Sequence, residues 1–226
     1  MNAAVSSIVN QIRVHRSRPM VVGIAGGVAV GKSVLAQALA IALTTDESTS
    51  VVVLSADAFL FSNSILNQRG LSMRKGFPES YDTAALRAAL TALRAGEEIS
   101  VPVYSHDHYD IITGVTEEVG VADVVILEGL HVLHQGESLI DLGVFITASE
   151  ELQQKWFVNR FIEMCAAGEG FYEDMAQLSE PQRNAIADLT WREINLPNLR
   201  EHIVNEQVLA DYVVTKGPDH LIISGV

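Results

Sequence analysis

Residues 20–33 constrain this chain more than any other stretch. An apolar run, Met20-Val21-Val22-Gly23-Ile24-Ala25, leads into Gly26-Gly27-Val28-Ala29-Val30-Gly31-Lys32-Ser33. A helical pattern follows over 32–43. Strand, G-x-x-x-x-G-K-[ST] and helix in that order make a loop that wraps phosphates. The glycines let the backbone turn its N–H groups inward, and the helix N-terminus adds its dipole. Lys32 is placed to reach the β- and γ-phosphates, and the Ser33 hydroxyl to ligate Mg²⁺. Val34 adds a backbone N–H at the start of the helix. The expected ligand is a nucleoside triphosphate, ATP or GTP.

The rest of the chain repeats the alternation. Apolar, β-branched runs at 51–55, 121–127, 143–147, 211–215 and 220–224 read as strands. Helical patterns occupy 82–95, 150–166 and 199–209, the first bounded by Asp82 as N-cap and Gly96 after its end. Residues 109–113 and 115–119 flank Gly114 and suggest an antiparallel hairpin; 167–197 has weak periodicity and reads as mixed helix and loop. Continuous apolar strands separated by helices predict an α/β fold. The expected form is a P-loop NTPase-type, mostly parallel sheet with helices on both faces and a small hairpin insertion. At 226 residues and 48% hydrophobic composition, the chain suits one domain over 1–226. A net charge of −13 disfavours nucleic acid and anionic lipid as partners. The N-terminus lacks a signal peptide's apolar core, and no apolar run is long enough for a membrane span. With a single cysteine, Cys165, no disulfide framework exists within the chain, so a soluble cytoplasmic protein acting on a small molecule is expected.

In open parallel sheets, ligands bind outside the carboxyl ends of the strands. Those ends carry Gly26, Asp57, Glu128 and Thr147 here. Asp57, just past 51–55, is suited to take a proton from an attacking hydroxyl, or to cap a loop. Glu128 closes Val124-Val125-Ile126-Leu127 in the Walker-B manner, acting on Mg²⁺ directly or through water. Leu152, Trp156 and Arg160 share a helix face, so Arg160 needs either a γ-phosphate or an internal carboxylate. The run Tyr104-Ser105-His106-Asp107-His108-Tyr109-Asp110 reads as a substrate-binding edge. His131 and His134 read as polar surface.

At this point the sequence resembles a known family. The phosphate loop, Ala56-Asp57-Ala58-Phe59-Leu60, Arg69-Gly70-Leu71 and Lys75-Gly76-Phe77-Pro78-Glu79-Ser80-Tyr81-Asp82 are similar to bacterial type I pantothenate kinase. So are Val101-Pro102-Val103-Tyr104-Ser105-His106, Ile126-Leu127-Glu128-Gly129-Leu130, Asn159-Arg160-Phe161, Glu193-Ile194-Asn195 and Thr215-Lys216. The similarity runs from about Pro19 to His220. It implies transfer of the ATP γ-phosphate to the primary hydroxyl of pantothenate, the first step towards coenzyme A. By the same resemblance Asp57 is the base, and Lys32 and Arg160 are transition-state cations. Tyr104, His106, Tyr109 and Asn195 belong to the pantothenate side, with Phe157 where the family has tyrosine. Lys216 lies on the nucleotide side, and His220 resembles the histidine that stacks on adenine. The family is commonly dimeric, which implies a homodimer. Gln37 stands where the family has an arginine that reaches nucleotide and coenzyme A. His131 replaces an asparagine, and 164–170 lacks the aromatic residues that line the family's pantetheine pocket. These differences leave two other readings open: a kinase of the same fold acting on a nucleoside or small hydroxy acid, and a nucleotide-binding regulator without transfer activity.

Overall fold

The computed structural model describes residues 3–15, 19–45 and 49–225. In chain order its main elements are α1 (Ala3–Val14), β1 (Met20–Gly26), α2 (Lys32–Thr44), β2 (Val51–Ser55), α3 (Asn63–Gln68) and α4 (Thr83–Arg94). There follow β3 (Ile99–Ser105), β4 (Asp110–Val119), β5 (Val124–Gly129), α5 (Val132–Gln135), β6 (Leu142–Thr147) and α6 (Glu150–Ala167). The chain closes with α7 (Glu173–Ala176), α8 (Glu180–Thr190), α9 (Leu196–Glu201), β7 (Tyr212–Lys216) and β8 (Ile222–Gly225).

Six strands form one sheet in the order β2-β5-β1-β6-β7-β8. All adjacent pairs are parallel except β7–β8. β1 and β5 are buried along their whole length, as strands covered on both faces must be. Side-chain alternation divides them between two cores. Val21, Ala25, Val125 and Leu127 join Leu86, Leu90 and Leu93 of α4, with Leu199 and Ile203. Met20, Val22, Ile24, Val124 and Ile126 join Leu35, Leu39 and Leu43 of α2, and Val5, Ile8, Val9 and Ile12 of α1. Each Val, Leu, Ile or Met among them contributes roughly 1.5–3 kcal/mol on burial. Among the described residues no helix is long and apolar enough to cross a membrane.

The expected α4 is present with its cap: Asp82 Oδ1 accepts from the Ala85 N–H at 2.9 Å, and Gly96 follows with φ +77°. Other elements differ from expectation. α1 was absent from the sequence reading, although Val5, Ile8, Val9 and Ile12 have helical spacing. The hairpin turns at 106–109 rather than at Gly114, because β3 supplies a complete partner strand for β4. Gly114 instead lies within β4, where the register slips between the Pro102–Thr116 and Tyr104–Ile111 pairs, and marks a bulge. The third strand begins at Val124, since Asp123 is committed to the Ser50 N–H and hydroxyl. The expected helix over 199–209 divides into α9 and a 3-10 segment, Ile203–Leu209.

The segment read as mixed is largely helical. α8 runs through a π-turn, Trp191–Asn195, into α9. Pro197 has no N–H to give to the Glu193 carbonyl, so a regular α-turn would leave that acceptor without its partner. The widened turn absorbs the mismatch and turns Asn195 off the ordinary helical register.

Candidate active site

The pairing register brings the site together. Ile24 of β1 lies opposite Glu128 of β5, and Ser55 of β2 lies on Glu128's other side. The phosphate loop leaves β1 directly above them. Gly31 takes φ +87°, and a Cβ there would lie 2.5 Å from the Lys216 ammonium nitrogen. Glycine takes that turn without strain and leaves room for the close cation. Lys216 therefore packs against the loop from the end of β7.

Lys32 Nζ donates to the Gly27 carbonyl at 2.9 Å, curling back over the loop. Burial lowers its pKa first; the Glu128 and Asp57 carboxylates oppose that, and the Arg160 guanidinium adds to it. One ammonium thus feels all three of the other predicted catalytic groups. Lys216 is likewise lowered, by burial and then by Lys32. The Ser33 hydroxyl donates to Glu128 Oε1 at 2.9 Å. A hydroxyl and a carboxylate meeting beside the phosphate loop form a hard oxygen set, which fits Mg²⁺. Val34 is 70% exposed at the helix start, so its contribution there is backbone.

Asp57 sits in a 3-10 turn, Ala56–Phe59, immediately after β2. The cap of that turn is Ser55, whose hydroxyl accepts from the Asp57 N–H at 3.3 Å. The Asp57 carboxylate is therefore not used for capping. It accepts from the Tyr81 hydroxyl at 3.5 Å, a long bond that leaves most of its capacity free.

Arg160 has no internal carboxylate partner among the described residues. Trp156 is buried on the shared helix face, but Arg160, one turn on, is exposed and makes no ion pair among the described residues. The buried stripe ends before Arg160, so its guanidinium stays hydrated. His220 stacks on Trp156 with ring centroids 3.9 Å apart, and is otherwise exposed.

The other wall is aromatic. Tyr104 and Tyr109 have hydroxyl pKa values raised by burial, with Asp57 among the nearby negative charges. His106 meets Tyr104 edge-on at 5.2 Å, and Tyr109 meets Phe171 at 5.0 Å. Phe157 contacts Phe161 and Trp191, each at 6.0 Å between centroids, and Phe161 meets Tyr172 at 6.0 Å. Phe171 and Tyr172, just beyond the segment that lacks aromatic residues, thus bring aromatic rings back to the wall. The hairpin turn is tied to them by a Phe171 N–H to Asp107 carbonyl bond of 2.7 Å. Asn195 from the π-turn is half-buried, and its Nδ2 has no partner among the described residues. An unsatisfied buried donor suits a ligand acceptor.

Two residues in this wall escaped the residue-by-residue reading. Lys75 is buried, donates to Asn63 Oδ1 at 2.6 Å and to the Tyr109 carbonyl, and lies 4.2 Å from the Tyr109 ring centroid. Burial pushes its pKa down to about 8. Tyr81, also buried, carries the bond to Asp57. The dense run Lys75–Asp82 was the available signal, but its residues are brought to the site only by the fold. His131 overturns an expectation outright: it is 2% exposed, not surface, and its Nε2 meets the Gly76 carbonyl at 2.8 Å. Packing of the 75–80 turn over the end of β5 buries it. His134 is exposed as expected.

Comparison with known proteins agrees with this architecture. The Phosphoribulokinase / Uridine kinase family pattern matches residues 21–166, more than half of the chain. A pantothenate kinase of Sorangium cellulosum (strain So ce56) is 40% identical over 219 residues, covering 91% of this chain and 71% of that protein. A pantothenate kinase of Corynebacterium glutamicum (strain R) is 39% identical over 217 residues, covering 91% and 67%. Among solved structures, D-glycerate 3-kinase from Cryptococcus neoformans var. grubii serotype A superposes with a TM-score of 0.68 at 15% identity, covering 100% of this chain and 99% of that one. Phosphoribulokinase from Rhodobacter spheroides gives 0.58 at 15%, covering 87% and 69%. The two structural likenesses concern the fold; the sequence relatives go further. Phosphate loop, parallel sheet and relatives together place the chain in the phosphoribulokinase/uridine kinase family, on its bacterial type I pantothenate kinase branch, as an ATP-using phosphotransferase acting on an alcohol group.

Proposed function

We propose that this enzyme transfers the γ-phosphate of ATP to the primary hydroxyl of pantothenate, giving 4′-phosphopantothenate for coenzyme A synthesis. The observation that carries the reading is the grouping at the phosphate loop: Ser33 Oγ meets Glu128 Oε1 at 2.9 Å, Lys32 Nζ curls over the loop to the Gly27 carbonyl at 2.9 Å, and Asp57 follows β2 beside β5. Phosphoryl transfer requires that combination of base, metal-side carboxylate and cation more than any covalent machinery.

The phosphate-loop N–H groups, Lys32 and Lys216 hold the triphosphate. Ser33 and Glu128 would hold Mg²⁺, directly or through water, and the ion would supply neutralisation of phosphate charge. The adenine extends toward His220, which presents an open ring face. Tyr104, His106, Tyr109, Phe157 and Asn195 receive the acceptor, with Lys75 beneath. The acceptor hydroxyl oxygen forms its bond to the γ-phosphorus as its proton passes to the Asp57 carboxylate. The bond from that phosphorus to the β–γ bridging oxygen breaks, and ADP leaves. Arg160 stabilises charge on the transferring group. Support for a cytoplasmic setting comes from Cys165, which is free and buried. The dimeric habit of the family supports a homodimer.

The test is an ADP-coupled assay with pantothenate and a panel of other small alcohols. Pantothenate should be turned over far better than the rest; no ADP above background would remove it as the acceptor. Asp57→Asn should lower kcat by roughly 10²–10⁴ with ATP binding intact. An undiminished kcat would end its role as base.

A further inference from the structure

The turn between α3 and α4 carries Lys75 into the aromatic wall and Tyr81 onto Asp57. Between them, Gly76 has φ +88°, and its carbonyl is held by two buried side chains. His131 Nε2 lies 2.8 Å from that oxygen, and Asn198 Nδ2 lies 2.7 Å away. The Gly76 N–H donates to Ser80 Oγ at 2.9 Å, and that hydroxyl donates to the Phe77 carbonyl at 2.7 Å. The turn is therefore pinned through both the N–H and the carbonyl of one residue.

A carbonyl only accepts, so His131 must carry its hydrogen on Nε2. Nδ1 is left facing Glu206 Oε1 at 3.9 Å. Glu206 is 3% exposed, and its other oxygen accepts from the Leu133 N–H at 2.9 Å. Other neighbours of His131 include the Asn198 side chain, the His202 ring, 6.2 Å away between centroids, the Tyr81 ring at 6.0 Å, and the more distant Lys32 charge. Burial pushes His131 down to about 4 and Glu206 up to about 8, so the pair is neutral at pH 7. An uncharged imidazole of fixed tautomer is a rigid donor.

We propose that His131 is a positioning residue for phosphoryl transfer: by anchoring the Gly76 carbonyl it fixes Lys75 against the acceptor pocket and Tyr81 against Asp57. This rests on the reading of Asp57 as base. His131 is too deeply covered to touch either substrate, and it acts through the turn. Displacing a supporting group by about 1 Å can slow an enzyme roughly 10²-fold.

The test is steady-state kinetics on the full chain, varying ATP and pantothenate separately, with thermal melts of each variant. His131→Leu should lower kcat about 10- to 100-fold and raise the acceptor KM, leaving the ATP KM within about twofold. His131→Asn keeps an amide donor and should recover most of the loss. A folded His131→Leu enzyme with wild-type kinetics overturns the proposal. So does an equal rise in both KM values, or an asparagine variant as slow as the leucine one. Should His131→Leu fail to fold, Asn198→Ala reads the same anchor: the same kcat and acceptor-KM split is expected, and wild-type kinetics overturn it. Asp57→Asn run alongside separates the two readings. If Asp57→Asn is slow while His131→Leu is normal, only the positioning role falls; if Asp57→Asn is normal, the base assignment falls by itself.

Discussion

Glu206→Gln should make the protein more stable near neutral pH, with the gain shrinking to under about 1 kcal/mol at pH 5. The buried carboxyl has its pKa pushed up to about 8 from an ordinary 4.5, chiefly by burial. Raised in the folded state, the group contributes its stability in full below pH 4.5, and loses it as pH rises towards 8. The unfolded chain releases the proton over that range while the folded chain must keep it. At pH 7 the interval is two and a half pH units at about 1.36 kcal/mol each, so the penalty is roughly 3 kcal/mol. Glutamine keeps an oxygen for the Leu133 N–H and never ionises. For a chain of this length the gain corresponds to roughly 6–12 °C in Tm. His131 has the opposite dependence: its lowered pKa removes stability as pH falls from 6.5 through about 4, and this acid limb should persist in the variant. The assay is thermal or urea unfolding of both proteins from pH 5 to 8, read as variant minus wild type so that other titrating groups cancel. Parallel curves, or a variant less stable at pH 8, would refute the reasoning.

Lys75→Met should raise the acceptor KM roughly tenfold or more, since it removes a buried charge and leaves Asn63 Oδ1 without its donor. In wild type the acceptor KM should also rise above pH about 8 as Lys75 loses its proton, and a pH series on the variant should show no such rise. His220→Ala should raise the ATP KM roughly 2- to 10-fold with kcat unchanged, the scale of one ring stack; equal kinetics would remove His220 from the nucleotide side. Leu39→Ala empties a fully buried position of α2 and should cost about 2–5 kcal/mol by denaturant melt, with activity per folded molecule unchanged.

By itself the sequence determined the donor side. The phosphate loop is contiguous, its glycines and lysine have fixed spacing, and its flanking strand and helix are visible in local periodicity. The parallel sheet was equally legible, because strands buried on both faces leave unbroken apolar runs. Asp57 and Glu128 could be read for a related reason: the carboxyl end of each strand is set by where its apolar run stops. Tertiary structure decided the acceptor side. Lys75 with Tyr81, Asn195, and Phe171 come from three separate stretches, and only tertiary packing sets Lys75 and Phe171 against Tyr109, Tyr81 against Asp57, and Asn195 in the π-turn. Histidine patterns also say nothing about depth. His131 and His134 lie three residues apart after the same strand, yet one is enclosed by the Gly76 turn and the other faces solvent. Whether a polar side chain is surface or anchor depends on what folds over it, and here that cover comes from residues more than fifty positions earlier in the chain.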